Sequence, residues 1–385
     1  MKKTLLASSI AAVALSSSLS VQAQSFDDLV KGSNVDLNFR FRTESVDADN
    51  GVDATIGNTL KSRITFKSGE YAGFSVLIEG DNVFQITDDF FDKGGNDTAA
   101  GEKQLILDQE TTQFNQALIQ YKGFDSTVKL GNQRILLDNQ RHVGGVAWRQ
   151  DEATFDALSV TNTSIDNTTI FAAIANNRNT ITNDNTEEDI TLLNVKYKVS
   201  DDLAASAFFY GIETATGATR DTFGIRAVGK ASGFGYEAEI ATQDTDANTT
   251  SYYHFNGSKK LGSIKTTLGY EVLASDGGDA AFATPLGTNH KFLGWSDAYL
   301  TGNGNNGIED IYVSAVTKVS GVKLVGQLHS FSANEGSADL GTELGFLAAK
   351  KFSDSYGGSL KVAQLSGSDV KPDTTKVWLT ATAKF

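Results

Sequence analysis

Apolar residues recur at every second position along most of this chain, where a helix would need a spacing of three or four. Val35, Leu37, Phe39 and Phe41 alternate with Asp36, Asn38, Arg40 and Arg42, and Ile64 and Phe66 alternate with Arg63, Thr65 and Lys67. Further along, Leu193, Val195, Tyr197 and Val199 face away from Asn194, Lys196 and Lys198. Phe234, Tyr236, Ala238 and Ile240 likewise face away from Glu237 and Glu239. A strand with one greasy and one polar face explains this period. The pattern predicts about eighteen of them, beginning near residues 35, 59, 73, 113, 126, 153, 167, 190, 203, 221, 234, 251, 263, 308, 321, 340, 357 and 375.

The connections sort by parity. After even-numbered strands they are short, as at Gly69 to Ala72, Gly123 to Asp125, Asp201 and Asp202, and Ala231 to Gly233. After odd-numbered strands they are mostly long and polar, as at residues 82 to 112, 135 to 152, 176 to 189 and 273 to 307. A soluble sandwich has no reason to alternate in this way. A bacterial outer-membrane barrel does: an even strand number, both termini in the periplasm, short periplasmic turns and long outside loops. The expected fold class is therefore all-β, a transmembrane antiparallel barrel. Unsatisfied backbone groups in lipid cost several kcal/mol each, so strands can span only if the sheet closes on itself. Eighteen strands leave a lumen wide enough for a water-filled channel.

Composition agrees with this reading. Two prolines, 37 glycines, 23 phenylalanines and 11 tyrosines suit many strands joined by glycine-bearing turns, and the absence of cysteine rules out a disulfide framework or thiolate metal site. Lys2 and Lys3, the apolar stretch Leu5 to Leu15 and the small residues of Val21-Gln22-Ala23 read as an export signal over residues 1–23, cleaved after Ala23. The barrel would occupy 24–385. Removing the signal moves the formal charge from −14 to about −16. So acidic a chain lacks the basic stripe that nucleic acid requires. At the far end Val377, Leu379, Ala381, Ala383 and Phe385 form the apolar face of a last strand. A terminal aromatic there resembles the signal by which outer-membrane barrels are recognised for insertion.

If the apolar face meets lipid, the polar face lines the lumen. Basic residues dominate it: Arg40, Arg42, Lys61, Arg63, Lys129 and Arg226, with fewer acids such as Glu79, Asp81, Glu237, Glu239, Glu271 and Glu343. A cationic constriction attracts anions, and arginine holds a carboxylate through paired hydrogen bonds. Two loop stretches mix aromatic, basic and amide groups: Gly131 to Asp156, with Arg134, Arg141, His142, Trp148, Arg149 and Asp156, and Gly287 to Tyr299, with His290, Lys291, Trp295 and Asp297. Such mixtures suit sugars, whose apolar faces stack on rings while hydroxyls and carboxylates take hydrogen bonds. Ring clusters that fold a loop onto itself would look the same.

These two stretches resemble the alginate-export family of outer-membrane barrels. The resemblance implies an eighteen-stranded monomeric pore with an arginine-rich constriction that passes anionic polyuronate. It carries site roles only to Arg134, Trp148, Arg149, Asp156, His290, Lys291 and Asp297. Outer-membrane lipids and an anionic carbohydrate solute are the expected partners, without cofactor, metal or catalytic residues, and uptake and export stay equally open. A general porin for small solutes is the alternative, ahead of a barrel-borne enzyme or adhesin. Gly302 to Gly307 spells a dinucleotide fingerprint but leads into a strand. His290, Ser296 and Asp297 are close in sequence, which is weak ground for a triad, and Asp88, Asp89 and Asp92 read as a solvated acidic loop in preference to a calcium site.

Overall fold

The computed structural model describes residues 26–87, 89–92, 100–368 and 370–385. The expected export signal and Asp88 lie outside them. A short helix, α1 (Phe26–Lys31), precedes β1 (Asn34–Ala48), β2 (Thr55–Lys67), β3 (Phe74–Thr87), β4 (Thr111–Gly123), β5 (Ser126–Gln133) and β6 (Thr154–Asn162). There follow β7 (Thr168–Asn179), β8 (Asp189–Ser200), β9 (Leu203–Glu213), β10 (Thr219–Ala231), β11 (Phe234–Thr245) and β12 (Thr249–Leu261). The last six are β13 (Ile264–Leu273), β14 (Ile308–Val319), β15 (Val322–Ser332), β16 (Asp339–Lys351), β17 (Tyr356–Ser366) and β18 (Thr374–Lys384).

Each strand pairs antiparallel with the next, and β1 pairs with both β2 and β18, so the sheet closes. The terminal residue joins the seam: Leu37 and Phe385 exchange backbone hydrogen bonds of 2.9 Å each way. The Phe385 ring rests against Phe39 and Tyr356. Helix α1 sits on the turn between β2 and β3, where Gly69 donates its N–H to Leu29 O at 2.8 Å. A Cβ on Gly69 would come within 2.2 Å of Asp28 O, so only glycine admits this approach.

The outward face is apolar and bare. Phe114, Leu130, Leu268, Leu344 and Leu379 are each more than half exposed, which only a lipid contact makes favourable for so extended a surface. The inward face departs from simple alternation. Ile190, Leu192, Phe208, Tyr210 and Tyr252 point inward and are buried, because two loops fold down into the barrel against them. These are L3 (134–153), between β5 and β6, and L7 (274–307), between β13 and β14. Ile135 and Val143 of L3 and Phe282, Leu286 and Leu293 of L7 join the wall residues in one apolar core inside the lumen. The expected width is thus largely occupied at mid-barrel, and the passage is confined to what these loops leave.

Candidate functional site at the junction of two inward loops

L3 crosses the whole lumen and is tied to the wall at three places. Near its start, Arg134 pairs with Glu152 (Nε–Oε2 2.5 Å) and Glu79 (2.9 Å). On β2, Arg63 reaches Asp81 and Glu152, and Lys61 pairs with Asp81 at 2.8 Å. Burial alone would raise the Glu152 carboxyl, but the Arg134 bond and the nearby Arg63 outweigh it and hold Glu152 down at about 2. Its neighbour Asp151 lacks such cations in contact, and burial pushes it up to about 6. At the far wall, Arg141 is fully buried against Glu271 (2.7 Å) and packs over the Phe292 ring. There His142 meets Glu239 at 2.5 Å among Phe208, Tyr252 and Phe282.

The third attachment brings L3 against L7. Trp148 stacks on His290 with ring centroids 3.4 Å apart, and Trp378 of β18 stands edge-on to both. His290 Nδ1 lies 2.6 Å from Asp297 Oδ1, and its Nε2 lies 2.5 Å from Lys361 Nζ. A lysine ammonium can only donate, so Nε2 accepts and the proton sits on Nδ1, facing Asp297. Burial keeps this imidazole neutral: it is lowered to about 4, Asp297 opposing the shift and Lys361 adding to it. The Lys361 ammonium is boxed by Trp148, Trp295 and Trp378, its Nζ 4.7, 5.6 and 4.2 Å from the three ring centroids. Arg149 pairs with Glu44 at 2.7 Å and lies over the Trp148 ring. Arg42 lies 3.6 Å from Asp108 and donates to Trp148 O at 2.5 Å. Arg40 donates to the carbonyls of Ala147 and Arg149 and to the Gln150 amide oxygen.

The junction therefore assembles Arg40, Arg42, Trp148, Arg149, His290, Trp295 and Asp297 from the expected residues. Lys61, Arg63 and Arg134 form a separate network, Arg141 a third, and Arg226 pairs with Glu237 and Glu239 on β11. Lys291 turns away to donate to Asn139 O, and Lys129 lies toward the short-turn end. Asp156 is placed differently from the expectation of a lumen residue. Phe155 and Ala157 bury inside the barrel, so Asp156 takes the opposite face of β6, bonded to Asn132 and Asn177 across the strands. Ser296 is not on His290; its N–H donates to Glu343.

Lys361, Lys376, Trp378, Glu44 and Asp108 belong to the junction without having been anticipated. Lys361 and Trp378 share the inward parity of their strands, a signal that was available. Asp108 is brought in by a loop whose course no periodicity reports. Above the junction, on the long-loop side, an opening of about 380 Å³ is lined by Trp148, Arg149, Asp297 and Lys376. Below it, one of about 450 Å³ is lined by Arg134, Glu79, Lys129 and Asp36.

A closed eighteen-stranded barrel with a lipid-facing exterior and lumen-narrowing loops is an outer-membrane channel protein of the porin class. The alginate export family model matches residues 12–297, and the chain belongs to that family. No curated protein matches. Among solved structures, Pseudomonas aeruginosa OpdO superposes with a TM-score of 0.70 at 13% identity, over 94% of this chain and 99% of that one. OpdQ of the same organism gives 0.70 at 13% identity, over 93% and 99%. Acinetobacter baumannii OccAB1 gives 0.70 at 14%, over 95% and 100%. These likenesses speak to the fold.

Proposed function

We propose that this channel passes anionic carbohydrate, in particular uronate oligosaccharides, through the narrowing between L3 and L7. The observation that carries the reading is a pair of cations without carboxylate partners. Among the described residues no carboxylate oxygen lies within 4 Å of Lys361 Nζ or of the Arg40 guanidinium, whereas most other arginines of the lumen are ion-paired. At the junction Arg40, Arg42, Arg149, Lys361 and Lys376 stand against Glu44, Asp108 and Asp297, with His290 neutral, so the local field is positive. The same place is bordered by indole surface, the part of Trp148 left uncovered at the outer opening and Trp295 beside Lys361, for the apolar side of a sugar ring. Cations beside ring faces suit a carboxylated sugar better than a neutral one.

The test is titration of uronate oligomers against neutral malto-oligomers of equal length, reading single-channel block in planar bilayers. Saturable block by the uronates alone is expected, weakened at least about tenfold in an Arg40→Gln, Lys361→Gln variant, a loss of roughly 1.4 kcal/mol. Large conductance blocked by neither sugar would leave a general porin and remove the uronate reading.

A further inference from the structure

The lipid face of β11 to β14 is not smooth. Tyr236 on β11, Phe255 on β12, Leu268 and Tyr270 on β13 and Ile311 on β14 border a groove of about 710 Å³, with Gly257 as its floor. Gly257 is the direct register partner of both Tyr236 and Leu268, and neither ladder has a bulge there. Elsewhere in the strands Gly224, Gly229 and Gly269 are each covered by a ring, that of Phe208, Tyr236 and Tyr312 in turn. A Cβ on Gly257 would meet nothing within 4 Å, because Tyr236 lays its ring the other way, over Gly229. Glycine inside a strand costs conformational entropy and leaves a gap in the packed surface. No turn, bulge or neighbouring side chain requires it here, so what approaches this backbone comes from outside the protein.

The two ends of the groove differ in charge. Lys259 stands two residues beyond Gly257 on the same face of β12, near the short turn, with its ammonium 4.2 Å from the Phe234 ring centroid. The rise of a strand sets it about 7 Å from Gly257. Among the described residues it has no carboxylate partner. At the long-loop end stands Glu309, whose carboxylate accepts from Tyr270 Oη at 2.7 Å and from Asn334 Nδ2 at 2.9 Å. Glu237, the other acid beside the groove, is turned into the lumen and pairs with Arg226 at 2.7 Å. A lysine near the end of a membrane strand lays its stem on apolar surface and holds its charge at the level of the headgroups.

We propose that this groove seats one anionic glycerophospholipid of the periplasmic leaflet, its phosphate on Lys259 and one acyl chain over Gly257 between Tyr236 and Leu268. The inference is independent of which solute the pore passes. Within a bilayer the hydrophobic effect does not favour one position of an acyl chain over another, so a fixed lipid needs close packing and a headgroup contact. The bare backbone at Gly257 supplies the first and Lys259 the second. The interval of about 7 Å between them is spanned by the glycerol esters. Glu309 repels a phosphate at the opposite end, which sets the direction in which the molecule lies.

The experiment is native mass spectrometry of the full barrel released from neutral detergent, titrated with phosphatidylglycerol or with phosphatidylcholine of the same acyl chains. One retained phosphatidylglycerol per barrel is expected, at a concentration about fivefold lower than phosphatidylcholine needs, the advantage that one lysine beside an anionic headgroup supplies. Lys259→Gln should remove that preference while phosphatidylcholine is retained as before, and Lys259→Arg should keep it. Gly257→Leu, which fills the groove, should weaken retention of both lipids, with the folded gel band of each variant showing that the barrel has formed. Equal retention of the two lipids by the wild type, or a preference that survives in Lys259→Gln, would overturn the phosphate contact. Retention untouched by Gly257→Leu would overturn the groove as the seat. A barrel dimer lost in Gly257→Leu, in place of a lipid adduct, would assign the groove to a second copy of the chain and overturn the proposal.

Discussion

Single residues decide where the inward loops attach. Gly294 of L7 has φ +79°, and a Cβ there would lie 2.4 Å from Glu343 Oε2. The bare backbone lets Trp295 N and Ser296 N both donate to that carboxylate, at 2.5 and 3.0 Å. Gly294→Ala should therefore release L7 from β16, seen as faster proteolysis within 287–299 and a larger, noisier conductance; unchanged protection would contradict this attachment. Arg141 is a second such point. Removing one partner of a buried pair costs about 3–5 kcal/mol because the other charge stays buried. Arg141→Met should lower the temperature at which the folded gel band is lost, and Arg141→Met with Glu271→Met should recover part of the loss. Equal loss in both variants would mean that the pair is not what Arg141 contributes.

At the scale of elements, the junction of L3 and L7 is built around a neutral imidazole. An unperturbed histidine titrates near 6.5, and burial lowers His290 to about 4. A histidine whose folded pKa lies below its unfolded one stabilises the docked state above about 6.5, and that contribution falls as pH drops toward 4. Asp151 has the opposite sign, since a raised carboxyl favours the docked state as pH falls below about 6. Once His290 is protonated it also faces the Lys361 ammonium at 2.5 Å, a contact it can no longer accept. Acidification from pH 7.5 to 4 should thus loosen the stacked loops and raise mean conductance, and His290→Gln should flatten that response. A wild-type conductance independent of pH over this range would contradict it.

The strands were readable from alternation and the loops' destinations were not. Strand β2 begins at Thr55, ahead of the expected position near 59, because the inward position after Thr55 is Gly57, beneath the Phe90 ring and the Ile106 side chain. With no side chain there, the period is interrupted. Strand β3 continues to Thr87 past the expected end near 81, since its inward Val83 is buried while Phe84 and Ile86 face out, making both faces apolar. The same ambiguity hid the apolar core inside the barrel: alternation assigns greasy residues to lipid, and Phe208 or Tyr252 turns inward only because L3 and L7 supply something to pack on. The basic lumen residues were visible, but their carboxylate partners Glu44, Asp108, Glu152 and Asp310 are brought near by folding, from 18 residues apart in sequence for Arg134 and Glu152 to 105 for Arg149 and Glu44.

At the scale of the whole molecule, closure replaces the core that a soluble protein of this length would need. Every strand finds two neighbours, the apolar belt faces lipid, and the charged groups gather inside or at the ends. Most interior charge is neutralised in pairs that fasten L3, so the excess that can act on a solute is small and local, at Arg40 and Lys361 in the narrowing. An overall charge of −14 would by itself favour cations, but the narrowing, where ions must desolvate, prevails over the outer loops. The most direct measurement is the reversal potential of single channels of the purified barrel in a KCl gradient. A preference for chloride, reduced in an Arg40→Gln, Lys361→Gln variant, is expected. A preference for potassium in the wild type, unchanged in that variant, would contradict it.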